Sequence, residues 1–528
     1  MVTGDGAGNV QEETAVDVEE RGPSDLARGG IRRAKEACNF GATGVSHARD
    51  LGARRSYTHL SLPARALEDG RHAGLTDLPA SRLFEAMPRY LWTLVGLSLV
   101  TTPLDAQGLR DKIAQLFIFA DGKDPLFLGG TAGSDSATAL HADHFVPAAV
   151  NDNGTLISFI GTAISQNVAN LPVSATSGGS TFRFEGGVPV STSGSPGSVF
   201  GERAQTLGRG RVFIGANVNR LHFETLRGVS LDGIEMTFTH ENVTGPQCDS
   251  IVGASCTPYG VPTHENDVIA LRLALDIDMT ITSFFMSFGL MDRVDIGVVL
   301  PIVSTSLRGT SDAQIIPFGG TTAQHFFGGT PANPQLSTSR FVEGSATGIG
   351  DIAARVKVNV TQSERTTFAV LGDIRFPTGS EDDLLGSGHV AARGLGILSA
   401  RFGTFSPHAN IGYLFRSGDL QNSAVLATVG FDHVMAPWAT MAVDLVSELQ
   451  VGENKLRLPG TVTYDLPFRR TVQPTNIPNQ RDDLINGSLG FKFTTRAGIT
   501  LVANTLWPLN RGGLRPNVLW TAGLEYNF

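Results

Sequence analysis

The stretch Asp351-Ile-Ala-Ala-Arg-Val-Lys-Val-Asn-Val360 carries the reading on which the fold turns. Side chains alternate sides along an extended strand, so Ile352, Ala354, Val356, Val358 and Val360 share one face while Asp351, Arg355, Lys357 and Asn359 share the other. The same division returns in Thr366 to Phe376, where Phe368, Val370, Ile374 and Phe376 oppose Thr367, Asp373 and Arg375. Met441, Val443, Leu445 and Leu449 oppose Asp444, Glu448 and Gln450, and Leu489, Phe491 and Phe493 oppose Ser488, Lys492 and Thr494.

A secreted β-sandwich also alternates. Three features favour a membrane barrel. Charges of both signs repeat on the polar face of strand after strand, as a wet lumen permits. Turns on one side are very short, as at Gly289 to Asp292 and Gln362 to Arg365. The repeats also run from Arg211 through about 300 residues without a domain break, which suits a large barrel better than a sandwich. Candidate segments from residue 156 to the end number about 14, and single-chain membrane barrels prefer even counts, so 12 and 16 are the neighbouring values. The expected fold is all-β: a transmembrane antiparallel β-barrel over residues 156–528.

Composition agrees. The chain has 62 Gly and 30 Phe in 528 residues and only 17% charged residues, a balance for strands and turns rather than helices. No apolar run reaches the roughly 18 residues of a membrane-spanning helix. Mean hydropathy is +0.02, as expected when apolar and polar residues alternate. A net charge of −9 argues against nucleic acid as a partner.

The chain ends Leu519-Trp-Thr-Ala-Gly-Leu-Glu-Tyr-Asn-Phe528, with Trp520, Ala522, Leu524, Tyr526 and Phe528 on one face, where lipid would meet them. Thr521, Gly523, Tyr526 and Phe528 resemble in spacing the terminal signal by which outer-membrane barrels engage their assembly machinery. A last strand must be presented as an edge before the barrel closes, because lipid tolerates no unpaired backbone.

At the other end, Met87 to Ala106 has a short basic start at Arg89, an apolar run of about eleven residues and a small residue before Gln107, the three parts of a secretory signal peptide. Residues 1–86 are polar, of mixed charge and without periodicity. They read as a disordered leader from a start codon called too early, or else as a genuine cytosolic extension. Residues 107–155 form a further segment. In it Leu109, Ile113, Leu116 and Phe117 stand at helical spacing, so a short amphipathic helix is expected that could plug or cap the barrel. Residues 120–210 are rich in Gly, Ser, Thr, Ala and Asn, with strand-like pieces at Leu156 to Ile164 and Thr181 to Phe184. Cys248 and Cys256 stand eight apart in a loop-like stretch; they read either as a disulfide formed after export or as two free thiols.

Two stretches carry a family resemblance. Phe288-Gly-Leu-Met-Asp-Arg-Val-Asp-Ile-Gly-Val-Val-Leu-Pro301 is similar to a tight hairpin and strand found in many outer-membrane barrels. Gly348-Ile-Gly-Asp-Ile-Ala-Ala-Arg-Val-Lys357, followed by Leu371-Gly-Asp-Ile-Arg-Phe-Pro-Thr-Gly-Ser380, resembles the barrel family associated with the meta-pathway of phenol degradation, the MetA-type transporters. The resemblance covers roughly residues 265–528. It implies an outer-membrane location in a Gram-negative-type envelope and passage of small, aromatic or otherwise hydrophobic solutes. Residues 107–264 depart from the family pattern, which leaves them as a plug or an enlarged loop.

Catalytic motifs are missing: there is no Gly-x-Ser-x-Gly elbow, phosphate loop, His-Glu-x-x-His or Cys-x-x-Cys. His141-Ala-Asp-His144 reads as a solvated loop rather than a metal site, and Glu381-Asp382-Asp383 as a charged surface loop, so no metal or cofactor is expected. The strand phases aim Asp276, Asp278, Arg293, Asp295, Asp351, Arg355, Lys357, Asp373, Arg375, Asp444 and Glu448 into the lumen. Opposed charges across a pore order water and bias the solutes that pass, whereas the same charges in a packed interior would satisfy one another. The function expected is a channel for small solutes rather than an enzyme. A structural or adhesive barrel with long surface loops, or an outer-membrane hydrolase, are the alternatives.

Overall fold

The computed structural model describes residues 108–119, 160, 161, 163, 164, 182–185, 188–191, 200–239, 268–317, 327–330, 332–418, 422–456, 458, 460–464 and 468–528. Residues 1–86, read as a leader, residues 87–106, read as a signal peptide, Cys248 and Cys256, and His141 and His144 lie outside the described residues.

Fourteen strands follow one another in a single antiparallel sheet. They are β1 (Val212–Leu226), β2 (Ile234–Thr239), β3 (Val268–Met291), β4 (Val294–Ile316), β5 (Ser337–Ile349), β6 (Ala353–Gln362) and β7 (Thr366–Arg375). The remainder are β8 (Ala391–Ala400), β9 (Phe405–Arg416), β10 (Ala424–Ala436), β11 (Ala439–Gln450), β12 (Leu484–Thr494), β13 (Ile499–Pro508) and β14 (Leu519–Asn527). Twelve of them close into a ring: β3 pairs β4, β4 pairs β6, neighbours then follow in sequence to β14, β14 pairs β1 and β1 returns to β3. Closure is fastened where Val212 and Phe528 exchange two backbone hydrogen bonds of 2.9 Å, so no edge is left unpaired there.

The other two strands widen the wall at one height only. β3 and β4 form a hairpin of 24 and 23 residues. The half of β3 far from the turn pairs β2, from Ile234 opposite Leu273 to Thr239 opposite Val268. The half nearer the turn pairs β1. On β4, β6 covers Val294 to Val299 and β5 covers Ile302 to Gln314. The hairpin thus rises out of the ring as an extension. Short turns gather at the opposite end, at 292–293, 363–365, 401–404, 437–438 and 495–498, while the connections at the extension end, such as 376–390 and 451–483, are long.

Of the strand-like piece Leu156 to Ile164, the described residues Ile160, Gly161, Ala163 and Ile164 are helical, and among the described residues the first strand of the wall begins at Val212. Phe182–Glu185 is a strand, but it pairs only Val188–Ser191 in a separate small sheet. The helix α1 (Leu109–Gln115) forms as its spacing predicts, and Leu109, Ile113, Leu116 and Phe117 are all buried. It packs on the inner face of the extension, where Gly309 makes room for it: a Cβ there would stand 2.6 Å from Leu116.

One face of the sheet keeps the same residues inward along the whole hairpin, but its chemistry inverts with height. Near the short turns the outward side chains are Phe284, Met286, Phe288, Ile296, Val298, Leu300 and Ile302, all exposed, while Asp295, Ser283 and Ser287 are buried inside. Higher up, Ser304, Ser306, Arg308 and Asp312 point outward, and Leu273, Leu275, Ile277, Met279, Val303, Leu307 and Ile315 fill a core with α1, Phe223, Met236 and Leu384. Val356, Val358, Val370, Leu398, Ile411, Leu445, Leu501 and Trp520 continue the exposed apolar band around the ring. A belt of that kind, flanked by aromatic residues, is what a barrel presents to lipid.

Candidate functional site: the lumen and its cavity

Residues 200–211 occupy the inside of the ring. The segment lacks any repeating pattern, and it is held by bonds to strands from all round the wall. Glu202 accepts a hydrogen bond from Arg355 at 3.3 Å, and Arg203 forms a buried ion pair with Asp432. Lys357 Nζ donates to the Arg203 carbonyl at 3.4 Å, Asn359 Nδ2 to the Ala204 carbonyl at 3.2 Å, and the Ala204 amide to Ser399 Oγ at 3.0 Å. The Leu207 amide reaches both oxygens of Asp295, at 3.0 and 3.1 Å. Nearer the short turns, Gly208 and Gly210 take left-handed φ values of +89° and +75°, which lets the chain turn back into β1. Gly289 is required beside them, since a Cβ there would lie 1.9 Å from the Gly208 carbonyl oxygen.

Around this segment the inward charges engage one another. Asp373 pairs Arg393, and Arg355 at 3.6 Å; Lys492 pairs Glu525 at 3.1 Å; His408 Nε2 lies 2.8 Å from Asp444. Lys357 lies 3.9 Å from Asp295. Removing one partner from such a buried pair typically costs about 3–5 kcal/mol, because the other charge is left without its counter-ion.

Toward the extension the lumen opens into a cavity of about 140 Å³. One part of its lining is apolar, with Phe200, Leu221, Leu395, Leu414, Leu426, Val446, Leu506 and Leu519. The other part is charged or polar, with Glu202, Asp373, Arg375, Arg393, Asn486, Glu448 and Arg515. Charged and apolar residues alternate around it, with Arg393 opposite Leu414 and Glu448 opposite Leu426 in the strand register. Space of this size lined by leucine and phenylalanine is comparable with a dry pocket of about 150 Å³ that accepts a single benzene ring.

The eleven lumen candidates divide by height. Asp295, Asp351, Arg355, Lys357, Asp373 and Asp444 are buried on the inward face. Arg375 and Glu448 are half-buried and line the cavity. Asp351 is not directed at a solute path: its carboxylate accepts from the Gly379 and Ser387 amides and from Ser387 Oγ, pinning the loop after β7. That loop is no free acidic tip either, because Glu381 pairs Arg110 of α1 and Leu384 and Leu385 are buried.

Asp276 and Asp278 face outward on the extension, and Arg293 is exposed in the turn between β3 and β4. The inward assignment of these three is corrected. The strand phase was right in period, but at the height of Asp276 the apolar partners Leu275 and Ile277 belong inside. There the two aspartates meet His222, whose Nδ1 lies 3.7 Å from Asp276 and 3.3 Å from Asp278, bringing three metal-capable side chains within 4.8 Å. Thr521 of the last strand points inward to Asn219 at 2.7 Å, Tyr526 and Phe528 point outward, and Gly523 lies between, against the β1 backbone.

Several functional residues escaped the sequence reading. Glu202 and Arg203 sit in an aperiodic segment and carry no signal. Arg515 lies in the three-residue strand Leu514–Pro516, too short to show a phase. Arg393 and Glu525 could have been found, since each stands at the inward phase of a strand, as does Lys492 on the polar face of its strand.

Residues 263–500 match the family described as "Putative MetA-pathway of phenol degradation". No curated protein matches the chain. Among solved structures, an outer membrane channel from Pseudomonas putida F1 shares 12% identity over 62% of this chain and 98% of its own, with a TM-score of 0.33. A Pseudomonas aeruginosa FadL homologue gives 13% identity, 68% and 97% coverage and a TM-score of 0.29. The P. putida toluene transporter TodX gives 9%, 60% and 89%, with a TM-score of 0.27. Scores this low leave the architecture resting on the strand register itself.

Proposed function

We propose, from a closed ring whose wall carries the phenol-degradation family match over 263–500, that the protein is an outer-membrane channel for small, hydrophobic or aromatic solutes. The observation that carries this reading is the cavity between Phe200 and Leu519, whose lining includes a set of leucines and which is enclosed by a ring with an apolar exterior. A solute entering from the extension end rests in the cavity and then meets residues 200–211, whose ion pairs to Arg355 and Asp432 form the resistance to passage. The long loops would face the outside of the cell and the short turns the periplasm, as in other barrels of this kind. Lipid then covers the apolar band, and the strand ending at Phe528 is the one offered to the barrel-assembly machinery. No step asks for a cofactor.

Purified full-length protein reconstituted in planar bilayers and in vesicles tests the proposal. The expected results are discrete conductance and uptake of phenol-sized neutral solutes above that of empty vesicles. A correctly inserted barrel, shown by heat-modifiable migration on gels, that passes neither ions nor solute would make it a structural or adhesive protein instead.

A further inference from the structure

Three carboxylates and three guanidinium groups line the cavity, and their pairing is uneven. Its three carboxylates are already engaged: Glu202 with Arg355, Asp373 with Arg393 and Arg355, and Glu448 with Arg416 at 2.6 Å. Arg515 is in a different position. Its side chain is buried, with 5% exposure for the residue, and its partners are all neutral: the Gly512 carbonyl at 2.7 Å and the side-chain oxygens of Asn486 and Asn510. Among the described residues no carboxylate lies within the 4.0 Å of an ion pair to it. Burial pulls its guanidinium down to about 10, and Glu448, which already belongs to Arg416, is the charge that opposes this shift. A buried cation held by neutral amides costs stability unless a counter-ion arrives.

Three of the five N–H donors of a guanidinium are taken by these partners, which leaves two for a guest. A carboxylate matches that fork in geometry and in charge. Arg375 also lines the cavity without an ion pair among the described residues, but it stands two residues from Asp373 on the same inward face, whereas the partners of Arg515 are all neutral. The leucines of the lining, Leu221, Leu414, Leu426, Leu506 and Leu519, suit a ring. We infer that the cavity selects small aromatic carboxylates, with the guest's carboxylate on Arg515 and its ring against these leucines.

The inference rests on the channel reading and adds the solute class to it. The test compares benzoate with benzamide, a neutral molecule of nearly the same shape, in uptake by vesicles holding the full-length protein, at pH 7 with the membrane potential clamped. Wild type is expected to admit benzoate at least tenfold faster than benzamide, and Arg515→Leu is expected to bring the ratio close to one. Equal rates in wild type, or an unchanged ratio in Arg515→Leu, overturn the inference while leaving the channel standing. Failure of both solutes to enter defeats the channel reading instead. Should Arg515→Leu lose heat-modifiable migration, Arg515→Lys keeps the question open to decision by calorimetry: benzoate binding weakened at least threefold relative to wild type supports the inference, and unaltered binding or none in wild type rejects it.

Discussion

The two halves of the β3–β4 hairpin share one register and one alternation, yet they bury opposite kinds of residue. Beside the short turn, Val298 and Leu300 face out while Asp295 lies inside; eight to ten residues further, Ser306 and Arg308 face out and Leu307 lies inside. Alternation alone therefore fixes which side chains share a face, and the surroundings at each height fix which face is apolar. In the lower wall lipid lies outside and a polar interior within, so the apolar face turns out. In the extension water lies outside, and the ordinary arrangement of a water-soluble core returns.

The largest expected effect tests the lower interior. Lys357 is buried between Asp295 and the segment at Arg203, so Lys357→Leu should lower stability by about 3–5 kcal/mol in denaturant titrations of the folded barrel. An effect below about 1 kcal/mol would mean that water reaches this layer and screens the pair. In the extension, Leu307→Ala removes a fully buried side chain and should cost about 2–5 kcal/mol by the same titration. If the core of the extension were hydrated, the cost would shrink toward that of a surface substitution. Smaller still, but sharper, is the outward pair. Val298→Arg places a charge against lipid and should cost about 2–4 kcal/mol in vesicles. Ser306→Arg on the same face should stay within about 0.5 kcal/mol. Similar costs for both would place the lipid boundary somewhere other than between Ile302 and Ser304.

This inversion also explains what could be read in the sequence. Period two is local, so the pairing of Asp351 to Val360 with Thr366 to Phe376, the short turns and the outward aromatic end at Phe528 were all legible. The strand total was legible to within the two strands that widen the wall. Height above the lipid is not local: nothing near Asp276 and Asp278 marks that the extension has begun, and their direction was misjudged for that reason. The cavity was the least legible part. Its lining comes from strands separated by hundreds of residues, and Arg515, whose partners are all neutral, stands on a three-residue strand.

The chain also passes through its own ring. Phe200 lies by the cavity and Arg211 by the short turns, so the polypeptide descends the lumen before climbing the wall as β1, and α1 lies in the extension beyond it. Since Phe528 seals the seam against Val212, a finished ring would have to be threaded by residues 200–211. Assembly is simplest if the wall is wound around residues 200–211 as a mandrel, with the final zip of β14 onto β1 locking the inserted strand in place, so that a barrel sealed without it would have no easy way to admit it afterwards.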